Sequence, residues 1–233
     1  MLTQPPSDQL YLQPGPSAIQ LCQPTRPVTC IKVDFVTGRQ AHRRRQLGHR
    51  REAIAKACGL GQADNLHIVD ATAGLGRDAY VLAALGAQVT LIERSPVLCA
   101  MLEDGLKQAA AAGLEPARER MRLIEADANV WLDDPRNQSS IDVVYLDPMY
   151  SGARRAAAGK ELALLSALLG SGNETEQLLE KALVAARKRV VVKRQRRAPA
   201  LAGRPPDHQL TGKSTRFDIY QINPARTVDS AEY

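Results

Sequence analysis

An acid, a proline and an aromatic residue follow a short apolar segment: Asp147, Pro148 and Tyr150 come after residues 143–146. Such a group can bind the exocyclic amine of a nucleobase, which is a weak nucleophile because its lone pair is delocalised into the ring. Asp147 and a backbone carbonyl near Pro148 can accept the two N–H groups, and Tyr150 can stack on the base. We therefore expect these residues to present an amine for group transfer. The alternative is a plain turn, because Asp-Pro often begins a turn after a strand.

A glycine-rich segment after another apolar run indicates a nucleoside cofactor. Gly74 and Gly76 lie between a predicted strand and a predicted helix, where a ligand can approach the backbone closely. Glu93 ends the next predicted strand, where its carboxylate can accept hydrogen bonds from ribose hydroxyls. A dinucleotide site also fits this loose pattern, but its phosphates disfavour neighbouring acids. Asp70 and Asp78 flank the turn, which favours the sulfonium and amino groups of S-adenosylmethionine.

A further acid, Asp127, follows the third predicted strand of the same series. A carboxylate at this place can accept a hydrogen bond from the amino group of an adenine. The alternative is a helix N-cap, a position at which Asp is favoured. The sequence leaves the two interpretations open.

Basic residues are concentrated in two segments of a chain whose formal net charge is +6. One segment covers residues 39–51 and the other residues 187–197, and neither contains an acid. Two such segments beside a catalytic core predict a polyanionic partner, RNA or DNA. Each segment taken alone can also be a solvated face.

Apolar runs typical of strands alternate with Ala- and Leu-rich helical stretches, which predicts successive βα units and a parallel sheet. Two strand-like runs at the end are separated by a turn alone, so they must be antiparallel. The expected fold is therefore α/β, Rossmann-like, with a mostly parallel seven-stranded sheet and a C-terminal antiparallel hairpin. The predicted strands cover residues 66–70, 88–93, 121–125, 141–147, 189–193, 208–211 and 216–222, and the predicted helices residues 51–60, 77–85, 96–112, 160–169 and 174–186.

The first part of the chain has a different composition, rich in Pro and Gln. Proline at this density excludes one continuous helix or strand. Residues 17–22 and 28–36 have the β-branched, partly alternating pattern of two short strands. We expect residues 1–36 to be an N-terminal extension and residues 37–233 to be the catalytic domain.

Composition also excludes several classes of protein. No stretch reaches the roughly 18 apolar residues that span a bilayer, and no signal-peptide pattern opens the chain, so we expect a cytoplasmic protein. The four cysteines, Cys22, Cys30, Cys58 and Cys99, form no CxxC pair and no metal-ligand spacing with histidine. Reduced thiols and no metal site are the expectation.

Several motifs together resemble one family, the J-type small-subunit ribosomal RNA methyltransferases, which are class I methyltransferases. The resemblance runs from about residue 33 to residue 220, although Met149 replaces the second proline that is usual in amino-group methyltransferases. It implies methylation of N2 of a guanosine near the 3′ end of 16S rRNA, with conversion of S-adenosylmethionine to S-adenosylhomocysteine. The motifs that carry it are residues 33–36, 41–44, 70–79, 144–150, 189–194 and 216–220. The cofactor contacts that it implies are Arg77, Asp78, Glu93, Arg94, Asp127, Ala128 and Asp147.

Basic residues near the predicted catalytic edge are candidates for RNA binding, on free 16S rRNA or on the small ribosomal subunit. We expect Lys193, Arg194, Lys213 and Arg216 to form the floor of an RNA groove, and His42, Arg43, Arg44 and Arg45 to hold phosphates beside it. Lys193 can alternatively be a solvated strand end. Oligomeric state is left open.

Two other classes of function compete with rRNA methylation. One is a methyltransferase that acts on a different amine, such as DNA adenine or a protein glutamine. The other is a nucleotide-dependent oxidoreductase or a non-catalytic RNA-binding module. Stacking by Tyr150 disfavours small aliphatic amines, and the two basic segments favour RNA. The terminal hairpin and the lack of a separate substrate domain disfavour an oxidoreductase.

Overall fold

The computed structural model describes residues 9–25, 27–37, 52–62, 65–138, 140–148, 160–169 and 175–222. Its strands are β1 (Tyr11–Pro14), β2 (Ile19–Gln23), β3 (Thr29–Lys32), β4 (His67–Asp70), β5 (Gln88–Glu93), β6 (Met121–Glu125), β7 (Val143–Leu146), β8 (Arg189–Gln195), β9 (His208–Thr211) and β10 (Thr215–Gln221). Its helices are α1 (Ala53–Cys58), α2 (Arg77–Ala84), α3 (Pro96–Ala111), α4 (Glu115–Arg118), α5 (Ala128–Asp133), α6 (Pro135–Gln138), α7 (Lys160–Leu169) and α8 (Thr175–Ala185), with a short 3₁₀ turn at Leu201–Gly203.

A central sheet organises the described part of the chain, with seven strands in the order β6-β5-β4-β7-β8-β10-β9. Strands β4 to β8 are parallel, whereas β10 is antiparallel to both β8 and β9. The predicted α/β fold and its terminal hairpin are therefore confirmed. The strands are short and apolar because helices cover both faces, and all four residues of β7 are buried.

The strand order reverses between β4 and β7, since β5 and β6 extend from β4 in one direction and β7 and β8 in the other. In open α/β sheets the crevice outside the carboxyl ends of the strands at such a point receives the ligand. The acids Asp70, Glu93 and Asp147 all end or follow strands at this edge. The fold thus brings these three acids to one edge of the sheet.

Strands β1, β2 and β3 form a separate antiparallel sheet at the N-terminus. The sequence predicted two strands here, and β1 was missed. Cys22 and Cys30 lie opposite each other in the β2–β3 pairing and are joined in a disulfide. The expectation of reduced thiols is wrong for this pair, because the hairpin register, and not sequence spacing, brings the two sulfurs together. Cys58 and Cys99 are free and buried, as expected.

The N-terminal sheet packs onto the catalytic fold through its own apolar side chains. Val33 and Phe35 are almost fully buried in the core that also contains α2 and α3. The Phe35 ring stacks on Tyr80 of α2 with the centroids 4.8 Å apart. The backbone N–H of Ile19 donates to Asp104 of α3 at 2.9 Å. The division into an extension and a catalytic domain at residue 36 stays a prediction. The contacts of Val33, Phe35 and Ile19 join these two parts of the chain.

The remaining differences from prediction concern short elements and element ends. Helix α1 begins two residues later than predicted, and α4, α5 and α6 were not predicted. No helix among the described residues is long and apolar enough to cross a membrane. Six of the predicted site and loop residues lie outside the described part of the chain: Met149, Tyr150, His42, Arg43, Arg44 and Arg45.

Candidate active site

The glycine-rich turn between β4 and α2 is fixed to the neighbouring strand β5. Ala73 donates its backbone N–H to the carbonyl of Ile92 at 3.2 Å, and Gly74 donates its own to Glu93 Oε2 at 2.9 Å. Gly74 and Gly76 have φ of 54° and 67°, a region that favours glycine. A Cβ at Gly74 would have one neighbour at 3.8 Å, whereas a Cβ at Gly76 would lie 2.7 Å from Leu102 Cδ2. Gly74 therefore faces open space and Gly76 faces the core.

Glu93 connects the turn to the segment after β5. Its Oε1 accepts the backbone N–H of Ser95 at 2.9 Å, while Oε2 accepts that of Gly74. Burial raises the pKa of Glu93, although these hydrogen bonds oppose the shift. Each carboxylate oxygen can accept a second hydrogen bond. The backbone of Arg94 contributes a further bond to this carboxylate, so Glu93 holds the turn and retains acceptor capacity for a hydroxyl group.

Thr72 links the acid after β4 to the acid after β7. Its Oγ1 accepts the backbone N–H of Asp147 at 2.6 Å and donates to Asp70 Oδ1 at 3.4 Å. Asp70 also accepts the N–H of Thr72 at 3.1 Å. Asp70 is 2% exposed, and its burial raises the pKa to about 8. The sequence interpretation missed Thr72, whose position two residues after a strand-terminal Asp is typical of an Asx turn and was an available signal.

Lys193, at the carboxyl end of β8, bridges two acids of the site. Its Nζ lies 2.7 Å from Asp78 Oδ2 and 2.8 Å from Asp147 Oδ2. Burial alone would lower the pKa of Lys193, but Asp147 and Asp78 outweigh burial and raise it. Lys193 is therefore not a solvated strand end, because its ammonium group points into the carboxylate cluster. Its place on the floor of an RNA groove stays a prediction.

Tyr145 adds a hydroxyl group to the same cluster. The Tyr145 side chain is fully buried in β7, and its OH donates to Asp78 Oδ2 at 2.7 Å. Burial raises the pKa of Tyr145 well above its usual value, so the phenol stays protonated. Tyr145 was missed in the sequence, although it lies two residues before Asp147 and strand residues at that spacing share a face.

Asp127 is the N-cap of α5, and its Oδ1 accepts the backbone N–H groups of Asn129 and Val130. The N-cap alternative is therefore confirmed, and a contact with adenine stays a prediction. Ala128 is the first residue of α5. Arg77 and Arg94 are exposed at the same edge of the sheet, the first opening α2 and the second directly after β5.

Two of the predicted RNA-binding residues are buried against protein acceptors. Arg194 is 6% exposed and donates to the carbonyl of Pro199. Arg216 is 8% exposed and pairs with Asp218 at 2.8 Å. Their assignment to an RNA groove is corrected, because neither guanidinium is presented to a polyanion. Lys213 is exposed in the turn between β9 and β10.

Strand order, glycine turn and acid cluster together define a class I S-adenosylmethionine-dependent methyltransferase. The family model described as "Putative SAM-dependent methyltransferase" matches residues 1–222. The SAM-dependent methyltransferase of Neisseria gonorrhoeae has a solved structure that superposes with a TM-score of 0.74 at 34% identity, covering 96% of this chain and 87% of that one.

Comparison with curated relatives identifies the family within this class of methyltransferases. The ribosomal RNA small subunit methyltransferase J of Thioalkalivibrio sulfidiphilus is 47% identical over 82% of this chain and 75% of the relative. The protein of the same name from Alkalilimnicola ehrlichii is 46% identical over 95% of this chain and 86% of the relative. The chain belongs to the ribosomal RNA small subunit methyltransferase J family.

The residues present fit S-adenosylmethionine as the cofactor. Gly74 leaves room beside the turn, and Glu93 retains acceptor capacity at the end of β5. The carboxylates at this edge disfavour the phosphates of a dinucleotide, although Lys193 already neutralises part of the charge of Asp78 and Asp147. Among the described residues no group of His, Cys, Asp and Glu is arranged to hold a metal ion.

Proposed function

We propose that this protein methylates the exocyclic N2 amine of a guanosine near the 3′ end of 16S rRNA. The observation that carries the proposal is Asp147, an acid held at the switch point of the sheet with 41% of its side chain exposed. The names of the curated relatives support a ribosomal RNA of the small subunit as the substrate. Activity on this RNA implies that the protein works in the cytoplasm.

Asp147 supplies the acceptor for the amine. The backbone N–H of Asp147 donates to Thr72 Oγ1, and its side-chain Oδ2 accepts a hydrogen bond from Lys193. Among the described residues no hydrogen bond reaches Oδ1, so this oxygen can accept an N–H of the guanine amine. Such a hydrogen bond localises electron density on the nitrogen, and the carboxylate receives a proton from the amine as the nitrogen–methyl bond forms. We propose that Pro148 supplies the neighbouring carbonyl and that Tyr150 stacks on the base.

The proposed cofactor-binding residues lie along the carboxyl edge of four adjacent strands, β6, β5, β4 and β7. S-adenosylmethionine supplies an electrophilic methyl group when bound. Glu93 is placed to accept ribose hydroxyls, and Asp127 to accept an adenine amino group beside its capping bonds. The full set that we propose comprises Asp70, Gly74, Gly76, Arg77, Asp78, Glu93, Arg94, Asp127, Ala128 and Asp147.

We propose a revised set of RNA contacts at the carboxyl end of β8. Arg196 and Arg197 are exposed just after this strand, and the N–H of Arg196 donates to Ser214 in the β9–β10 turn. This bond places the two arginines next to the exposed Lys213. All three lie at the edge of the sheet where Asp147 lies, because β10 begins opposite the end of β8. His42, Arg43, Arg44 and Arg45 remain proposed contacts to phosphates.

Methylation is tested with labelled S-adenosylmethionine and small-subunit RNA from a strain that lacks the enzyme. We expect one guanosine near the 3′ end of 16S rRNA to acquire label at N2, located by nuclease mapping and mass spectrometry of the nucleoside. Free RNA and assembled subunits are assayed in parallel to determine the better substrate. Label on adenine, or on protein alone, would contradict the proposal.

The RNA surface is tested by charge reversal at two places. The triple variant R196E/R197E/K213E should weaken RNA binding and reduce its dependence on salt concentration, because each phosphate contact releases counterions. R44E/R45E should do the same if the first basic segment holds phosphates. R187E is the matched control, an exposed arginine just before β8 and so at the opposite edge of the sheet. Equal RNA affinity for R187E and the triple variant would contradict the placement.

A further inference from the structure

Two lysine–aspartate pairs join the neighbouring strands β7 and β8, one at each edge of the sheet. Lys188 Nζ lies 3.0 Å from Asp142 Oδ1 at the amino end of the strands. Lys193 Nζ lies 2.8 Å from Asp147 Oδ2 at the carboxyl end. The first pair is on the side away from the ligand crevice, and the second is within it. The Lys193 side chain is 26% exposed and also contacts Asp78.

We propose that Lys193 is a positioning residue that keeps Asp147 charged and oriented to receive the substrate amine. This inference rests on the proposed function, in which Asp147 accepts an N–H of guanine. Lys193 itself does not need to touch the RNA or the cofactor. It acts by occupying Oδ2 of Asp147, which fixes the direction of the other oxygen.

The charges around Asp147 explain why a cation is needed there. Asp78 faces it from α2, Asp70 from the end of β4, and the protonated Tyr145 from β7. Burial and the neighbouring carboxylate of Asp78 both favour a neutral Asp147, and together they raise its pKa. The charge of Lys193 opposes this shift. Without that charge Asp147 would take up a proton more readily and lose its capacity to accept one from the amine. Among the described residues, Cys58 and Arg189 also lie near this cluster.

Lys193 is itself held in place by Asp78. Oδ2 of Asp78 accepts hydrogen bonds from both Lys193 Nζ and Tyr145 OH, each at 2.7 Å. Asp78 lies in the first turn of α2, directly after the glycine turn. The ammonium group therefore joins the cofactor turn to the proposed amine acceptor, and the position of Asp147 depends on both sides of the crevice.

The test compares K193M with K193R and with K188M, the same substitution in the matched pair at the opposite edge. We expect K193M to lower kcat at neutral pH about tenfold to a hundredfold and to move the acidic limb of kcat/KM to higher pH. The dissociation constant for S-adenosylmethionine should change far less than kcat. K193R keeps the positive charge, so the acidic limb of its pH profile for kcat/KM should lie close to that of the wild type. K188M should have the same acidic limb as the wild type.

A second readout does not depend on activity. Carbon-13 NMR titration of the Asp147 carboxyl group should give a higher pKa in K193M than in the wild type, with no such change in K188M. K193Q replaces K193M if the methionine variant does not fold. An equal Asp147 pKa in wild type and uncharged variant, or an unchanged acidic limb, would overturn the inference. If the wild type modifies no guanosine while K193M still has a higher Asp147 pKa than the wild type, only the proposed function is contradicted.

Discussion

Asp147 is the residue on which the proposed chemistry depends. Its backbone is held by Thr72 and its Oδ2 by Lys193, so the carboxylate is oriented before RNA arrives. Preorganisation of this kind lowers the barrier, because the acceptor need not be oriented during the reaction. Substitution of the acid should therefore affect turnover much more than folding.

Asp147→Asn tests this expectation. The amide keeps the shape of the side chain but cannot take up a proton, so we expect kcat to fall by about two to four orders of magnitude. Single-turnover rates with 16S rRNA and the thermal midpoint of unfolding are the measurements. Near-normal turnover would mean that other groups bind the amine. Asp142→Asn, at the opposite edge of β7, is the control for loss of a strand-end acid.

Asp70 is an acid that affects stability, because burial of its ionised form destabilises the folded protein at neutral pH. The pKa of Asp70 rises from its usual 3.8 to about 8 in the folded protein. The native state therefore retains a proton that the unfolded chain loses as pH rises above about 4. Its contribution to the free energy of unfolding is fully present below that pH and is lost as pH rises through about 8.

Asp70→Asn should flatten this dependence. We expect the variant to gain stability relative to the wild type as pH rises from about 4 to about 8, measured by chemical denaturation across that range. Asp34→Asn is a control of opposite sign: burial opposes ionisation of Asp34, but bonds from Thr37, Lys32 and Val36 outweigh it and lower the pKa to about 2. Asp34→Asn should lose stability relative to the wild type above about pH 4. Parallel profiles for Asp70→Asn and wild type would refute the assignment of the Asp70 shift.

At the scale of elements, the glycine turn is built from two glycines with different roles. Both have positive φ, but Gly74 borders open space and Gly76 borders Leu102. An L residue at positive φ is strained by about 1–2 kcal/mol. Overpacking adds about 1–3 kcal/mol where a new methyl group meets the core. The two glycines should therefore respond differently to the same substitution.

Gly76→Ala should destabilise the fold more than Gly113→Ala, a matched substitution at a similar positive φ of 77°. A Cβ at Gly113 meets nothing within 4 Å, so its substitution reports backbone strain alone. We expect a difference of about 1–3 kcal/mol in the free energy of unfolding between the two variants. Equal losses, measured by urea denaturation, would mean that the contact between position 76 and Leu102 relaxes without strain.

The same elements show what the sequence can predict. Patterns that are local along the chain, such as the glycine turn, the acids at the ends of β5 and β7 and the terminal hairpin, were sufficient to predict the sheet and the edge at which these acids lie. Contacts that depend on the register between strands were not predictable. The Lys193–Asp147 pair requires β8 to lie next to β7, and the Cys22–Cys30 disulfide requires a β2–β3 register. Arg216 was misjudged because a basic residue looks exposed until its buried partner, Asp218, is placed.

For the whole molecule, the N-terminal sheet and the cofactor turn share one core. Phe35 stacks on Tyr80, and its ring lies behind Gly76, where a Cβ would be 3.2 Å from Phe35 Cζ. Val33 lies against Gly105 of α3 in the same way. A change in the extension should therefore reach the cofactor site.

Phe35→Ala should cost about 3–5 kcal/mol of stability and weaken binding of S-adenosylmethionine, because the turn loses its support. Leu12→Ala is the control in the same extension, since Leu12 is 42% exposed in β1. Thermal unfolding and calorimetric titration with the cofactor measure the two effects. A loss of stability with unchanged cofactor affinity would mean that Phe35 supports the core but not the turn.

The burial of Phe35 and Val33 also has a consequence for folding during synthesis on the ribosome. Their partners, Tyr80 and the α3 residues around Gly105, are encoded much later in the chain. At a synthesis rate of about 5–20 residues per second, the first strands leave the ribosome on the order of seconds before these partners exist. During that interval the side chains of Phe35 and Val33 are without their final cover, so this apolar segment is one that nascent-chain chaperones are suited to bind.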